Sequence, residues 1–169
     1  MRAYTSTAVA GNRNWRIIRM FTLGEILALL LKFIAGMTVN LFVELPKYHP
    51  GSNSIEYFSG IVKGIIWAIG SGTFYLGFHV ILGLLIIVVS IVIIIFSVTV
   101  RERIWLVCSV IGWVAVTGAG INGVSFVNYG KEYSSLIMSI GFLVGIVCYA
   151  VVYHISREGS LIAEKHNDT

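Results

Sequence analysis

The sequence predicts an all-α integral membrane protein: a four-transmembrane-helix up-down bundle with an extra interfacial helix in the first outer loop. Three observations carry that expectation. Four apolar stretches, at residues 22–43, 73–100, 104–127 and 134–155, each reach the roughly 20 residues that a spanning helix needs. Hydrophobic residues make up 57% of the 169-residue chain and charged ones 12%, which leaves too little polar surface to cover a water-soluble domain. The basic residues collect at the ends of the stretches, so the net charge of +4 calls for no nucleic-acid partner.

Before the first stretch come Arg2, Arg13, Arg16 and Arg19. The stretch itself is too long for a signal-peptide core, so it is expected to remain as a span. Residues 1–14, rich in Ser, Thr, Asn and Gly, read as a mobile tail within a cytoplasmic N-terminal segment at 1–19. The membrane domain is expected at 20–156 and a cytoplasmic C-terminal tail at 157–169, whose start extends the fourth helix by two turns before fraying.

The first span carries the charges of the membrane interior. Lys32 lies thirteen residues after Arg19, roughly 20 Å along a helix, too deep for easy snorkelling. Glu25 precedes it by seven residues and shares its face. A charge at mid-bilayer costs about 2.5–3.5 kcal/mol on insertion scales, so both residues are candidates for function. Three roles are open: an extended pair within one helix, a proton or anion relay, and a charge matched to an acidic residue of another subunit.

Residues 54–70 are apolar but short for a crossing. Ile55, Phe58, Val62, Ile65 and Ile69 form a helical stripe, with Glu56, Ser59 and Lys63 turned away from it. The expectation is a helix lying in the interface, with Gly70, Ser71 and Gly72 as the turn into the second span. A fifth crossing would put Arg101 and Arg103 outside, against the positive-inside rule. That rule places both termini and the 101–103 turn in the cytoplasm, at the cell membrane. Tyr48, Tyr57, Tyr129 and Tyr133 then form the outer aromatic belt, with Trp105 and Tyr153 at the inner one.

In the second span, residues 84–96 are almost wholly Ile, Val and Leu, suited to lipid or to a partner's apolar wall. The third span supplies Ala115, Ala119 and Gly123 and the fourth supplies Gly141 and Gly145, small residues at spacings of four that mark faces meeting each other.

Polar residues of several spans converge by depth. His79 lies about 10 Å inward from the start of the second span. Asn40, Asn122, Ser125, Ser134 and Ser135 fall at similar outer depth, and His49 can fold over them from the loop. A histidine, amides and hydroxyls at one level of a bundle suit a cofactor or quinone head group. Haem b is the specific candidate: His79 would ligate the iron, Gly77 and Gly83 would let the macrocycle approach, and His49, Met37 or Met138 would be the second ligand. A hydrogen-bonded structural histidine is the plain alternative.

Other chemistry is sparse. Cys108 and Cys148 lack metal-ligand spacing and read as reduced thiols. Gly118, Gly120 and Gly123 lie inside a span, so a dinucleotide loop is not expected. The absence of a nucleophile with base and orienting acid favours a non-enzymatic chain over an enzyme.

The general shape resembles four-helix membrane subunits of respiratory assemblies, including b-type cytochromes. That resemblance implies a small non-catalytic subunit packing within a larger energy-transducing complex, in contact with lipid and with other membrane subunits or copies of itself. The residues offer two rivals: a haem- or quinone-binding electron-transfer protein centred on His79, and a small proton or ion transporter using Lys32 and Glu25.

Overall fold

The computed structural model describes residues 2–100, 102–130 and 132–167, with side chains described for 15–100, 102–130 and 133–156. Among the described residues there are five helices and no strand: α1 (Arg2–Phe42), α2 (Tyr57–Gly70), α3 (Phe74–Val100), α4 (Arg103–Tyr129) and α5 (Glu132–Asn167). Three segments are long and apolar enough to cross a membrane: Phe74–Val100, Arg103–Tyr129 and Tyr133–Ser156. They make the chain a membrane protein.

The helix ends follow the expected punctuation. Gly130, with φ of 62°, caps α4 in the left-handed conformation that glycine adopts without cost, and its N–H bonds the Phe126 carbonyl. Two helices run further than their apolar stretches. α1 begins at Arg2, over the residues read as a tail, and α5 continues to Asn167. Once a long helix is nucleated each added residue gains a hydrogen bond, and neither extension contains proline.

The four long helices pack side by side and antiparallel, each against two neighbours: α1 on α3 and α5, and α4 on the same two. The α4–α5 seam is the closest, and the small residues at spacings of four do meet there. A Cβ added at Gly141 would lie 2.7 Å from the Ala115 carbonyl oxygen and 3.1 Å from the Ala119 Cβ, and one at Gly145 would lie 2.9 Å from Val116. At Gly112 the bare backbone gives way to the ring of Tyr149, 2.9 Å from where a Cβ would stand.

The core has two apolar clusters. Leu29, Ile86, Ile93, Val116 and Tyr149 fill the middle. Ile18, Trp105 and Val152 fill the end that holds the α3–α4 turn. Trp105, expected in the inner aromatic belt, is instead fully buried, edge-on to Trp15 with centroids 4.5 Å apart. On α3 the apolar 84–96 stretch is two-faced: Ile86, Ser90 and Ile93 are buried, while Leu84, Leu85, Val88, Ile91 and Ile95 are exposed.

α2 packs against α3 and α4 through small residues. Gly60, Ile61, Gly64 and Ala68 are its buried face. Phe58, Val62 and Ile69, three members of the apolar stripe in the sequence, point out of the protein. The amide of Asn128 donates to the Gly60 carbonyl at 2.9 Å, and a Cβ at Gly64 would sit 2.5 Å from the same amide's oxygen. Gly51, with φ of 102°, brings the preceding loop against Gly60 and Gly64, where a side chain has no room.

Candidate functional site

The polar chemistry of the bundle interior lies along the α1–α3 seam. Because the helices are antiparallel, residue numbers rise on α1 as they fall on α3, and two polar stations face each other across an apolar layer.

The first station is built on Glu25, which is 1% exposed. The Ser90 hydroxyl donates to its Oε1 at 2.6 Å. The Tyr149 hydroxyl of α5 donates in turn to Ser90 Oγ at 2.8 Å. Ser90 has one proton and a second acceptor for it, the Ile86 carbonyl at 2.8 Å, so its hydroxyl can turn from carboxylate to backbone without moving its oxygen. Glu25 Oε2 is buried and has no partner. Three helices thus contribute one side chain each to a chain of hydroxyl, hydroxyl and carboxyl, and every link is short enough for strong hydrogen bonding.

Two turns along α1 is the second station. Lys32 Nζ lies 3.1 Å from His79 Nε2 and donates to the His79 carbonyl at 3.1 Å. An ammonium has only donors, so with Lys32 charged the imidazole accepts at Nε2 and carries its own proton on Nδ1. His79 Nδ1 is buried without a partner. Two glycines make the space. A Cβ at Gly36 of α1 would stand 2.9 Å from the His79 ring, and one at Gly83 of α3 would stand 2.7 Å from Lys32 Nζ. Each helix is bare where the other's side chain crosses.

Between the stations lie Leu29 and Ile86, each 1% exposed, in the central apolar cluster. On the outer side of the same seam runs an apolar groove of about 420 Å³, walled by Met20, Phe21, Gly24, Glu25 and Ala28 of α1 and by Leu82, Leu85, Ile86 and Val89 of α3.

The residues expected to converge around His79 separate into different partnerships. His49 stacks on Trp67 of α2 at 4.2 Å, with Nδ1 3.2 Å from the Pro50 carbonyl and Nε2 3.2 Å from the Val127 carbonyl. Ser125 shares a hydrogen bond of 2.7 Å with the Tyr57 hydroxyl. Asn122 bonds back to the Gly118 carbonyl of its own helix at 2.9 Å, and Asn40 is exposed. The His49 and Ser125 contacts fasten the loop at 43–56 and α2 over the C-terminal end of α4.

Haem ligation by His79 receives no support from this geometry. Its Nε2 is held by Lys32, the room beside Gly83 is filled by the lysine amine, and Gly77 faces the Ala68 carbonyl. His49 is engaged elsewhere. Among the described residues no group of three or more His, Cys, Asp or Glu is placed to hold a metal ion. The pairing of Glu25 with Lys32 within one helix is replaced by partners on α3 for each.

The sequence reading did not include Ser90 and Tyr149. One signal was present: Ser90 and Ser97 are seven residues apart on the most apolar helix, and both are fully buried. Ser97 shares a 3.1 Å hydrogen bond with Ser109 of α4.

Fold and site together define a multi-pass helical membrane protein with protonatable side chains held inside its bundle. No protein-family model matches the chain, and neither the curated proteins nor the solved structures give a match.

Proposed function

We propose that this protein is a small transporter that moves protons, or an ion exchanged for protons, through the α1–α3 seam. The carrying observation is that Glu25 and Lys32 share one face of α1 yet bond to neutral groups on other helices rather than neutralising one another. Ionisable residues inside a membrane are expensive, and a pair kept only for structure would gain most by meeting. Glu25 is the proton carrier, Ser90 and Tyr149 form its hydroxyl relay, and the Lys32–His79 pair is the second station. The Leu29–Ile86 layer keeps the stations apart until the helices shift.

The topology that goes with this reading has four crossings, with α1 as the fourth. Its support is that α1 lies antiparallel against α3 and α5 along the length of the core clusters. Both termini are cytoplasmic and α2 lies in the outer interface, a reading supported by its outward-facing Phe58, Val62 and Ile69. Labelling with an impermeant maleimide tests it: Ser52→Cys reacts in intact cells, and Glu102→Cys reacts only after permeabilisation. The reverse pattern inverts the topology.

The function is tested by reconstituting the purified chain in liposomes that hold a pH-sensitive dye and imposing a potassium diffusion potential. Proton uptake in the parent and its loss in Glu25→Gln support the proposal. No uptake in the parent, with or without an added cation gradient, removes it.

A second reading, membership in a larger energy-transducing complex, is favoured by the exposed apolar ridge of α3 at Leu84, Val88, Ile91, Ile95 and Val98. That ridge suits a partner helix as well as lipid. Copurification from mild detergent at fixed stoichiometry tests it, and a chain that runs alone removes it.

A further inference from the structure

We infer that the groove between α1 and α3 is a binding site for a lipophilic cation, entered sideways from the lipid, with Glu25 as its counter-charge. The inference deepens the transport reading by naming a substrate class for the same carboxyl, and to that extent rests on it.

The groove's wall is apolar except for one residue. Met20, Phe21, Leu82 and Leu85 are typical of it, and among the described residues Glu25 is the only ionisable side chain in it. Small hydrated ions and peptides lose their water on such a wall and gain nothing in return. A ligand that enters must already be soluble in lipid. The groove's volume, about 420 Å³, is that of a site for a molecule of a few aromatic rings. Gly24 leaves it open, since nothing lies within 4 Å of where its Cβ would stand.

Charge then selects among lipid-soluble ligands. Glu25 is 1% exposed, its Oε1 takes a hydrogen bond from Ser90, and its Oε2 has no partner. Lys32, the basic group two turns along on the same face of α1, is committed to His79. Glu25 belongs to the groove's wall with its Oε2 just beneath the surface, so the side chain turns toward the groove to meet a ligand; an oxygen left unsatisfied there is complementary to a positive charge brought from outside, and a delocalised charge on an apolar body meets both demands. A neutral lipid tail would fill the groove and leave Oε2 as it is.

The test is equilibrium dialysis of the full chain in detergent with radiolabelled tetraphenylphosphonium, in the parent, Glu25→Gln and Gly24→Leu. Leucine at position 24 projects into the groove from a Cβ that meets no atom within 4 Å, and gel filtration and circular dichroism establish that both variants are folded. The expected result is saturable binding of one cation per chain in the parent and a loss of affinity of about tenfold or more in each variant. Neutral tetraphenylmethane, of the same shape, should not compete. The inference is overturned by absence of saturable binding in the parent, by unchanged affinity in either variant, or by equal competition from the neutral analogue, which would mark a groove for uncharged lipid. Proton uptake in liposomes separates the two failures. Uptake without cation binding ends this inference alone, and cation binding without uptake leaves the site and ends the transport reading.

Discussion

Glu25 and Lys32 stand two turns apart on one face of α1 and are bonded to different residues of α3, Glu25 to Ser90 and Lys32 to His79. The two opposite charges on this face of α1 are therefore not a pair. Each is held by a neutral group that can give or take a proton, which is what separates this seam from a structural ion pair.

Replacing Glu25 with glutamine keeps the shape and an oxygen to accept from Ser90. The fold should survive, with a change in stability within about 1 kcal/mol, the usual worth of one hydrogen bond. Proton uptake should disappear. Thermal unfolding in detergent alongside the liposome assay checks both, and uptake retained in a folded Glu25→Gln would assign the carrier elsewhere.

Tyr149→Phe removes the hydroxyl that donates to Ser90 and nothing else from a ring that fills the space left by Gly112. The expected cost is about 0.5–1.5 kcal/mol in stability. Uptake should slow rather than stop, because Ser90 still reaches Glu25. A rate equal to the parent's would take Tyr149 out of the relay.

Lys32→Met leaves His79 Nε2 buried without its donor, at a cost of about 1–3 kcal/mol. His79→Leu alone leaves the amine only the backbone carbonyl of residue 79, and the double variant Lys32→Met with His79→Leu should recover part of both losses. A double-mutant cycle measured by unfolding should give a coupling of about 0.5–3 kcal/mol, the range found for residues in direct contact. Strict additivity would mean that the two do not interact.

Gly141→Leu drives a side chain into the Ala115 carbonyl, which is backbone and cannot step aside. Overpacking of this kind costs about 1–3 kcal/mol or more and should part α4 from α5. Gly141→Ala, which adds only the Cβ that would stand 2.7 Å from that carbonyl, should be destabilised less than the leucine variant, both read by thermal unfolding in detergent. Unchanged stability in Gly141→Leu would refute the seam.

Much of the fold could be read in the sequence because lipid imposes simple rules. The apolar stretches at 73–100 and 104–127 match α3 and α4 within two residues, and the small residues at 115, 119, 141 and 145 marked the α4–α5 seam. α2 was legible as a helix, but its apolar stripe misled about its inner face. In water such a stripe packs inward; beside lipid it can face out while Gly60, Gly64 and Ala68 bring the backbone close. The site was half legible. Glu25, Lys32 and His79 stood out because charge and imidazole are rare in spans. Their partners did not, since depth along a helix is readable and rotation about it is not. That is why depth alone groups His79 with Asn122 and Ser125, although Asn122 bonds within its own helix and Ser125 bonds Tyr57 of α2. Ser90, in an unbroken apolar run, gave no local sign that it faced Glu25.

The reciprocal bare positions, Gly36 beside His79 and Gly83 beside Lys32, act as two pins in two sockets pointing in opposite directions. A sliding step of one helical turn, about 5.4 Å, would pull both pins at once and drive each into a neighbouring side chain. Such a piston stroke is therefore the motion this seam resists most. A swing that opens the end nearer Glu25 leaves both pins seated, which would make the lysine–histidine end the pivot and the glutamate end the jaw.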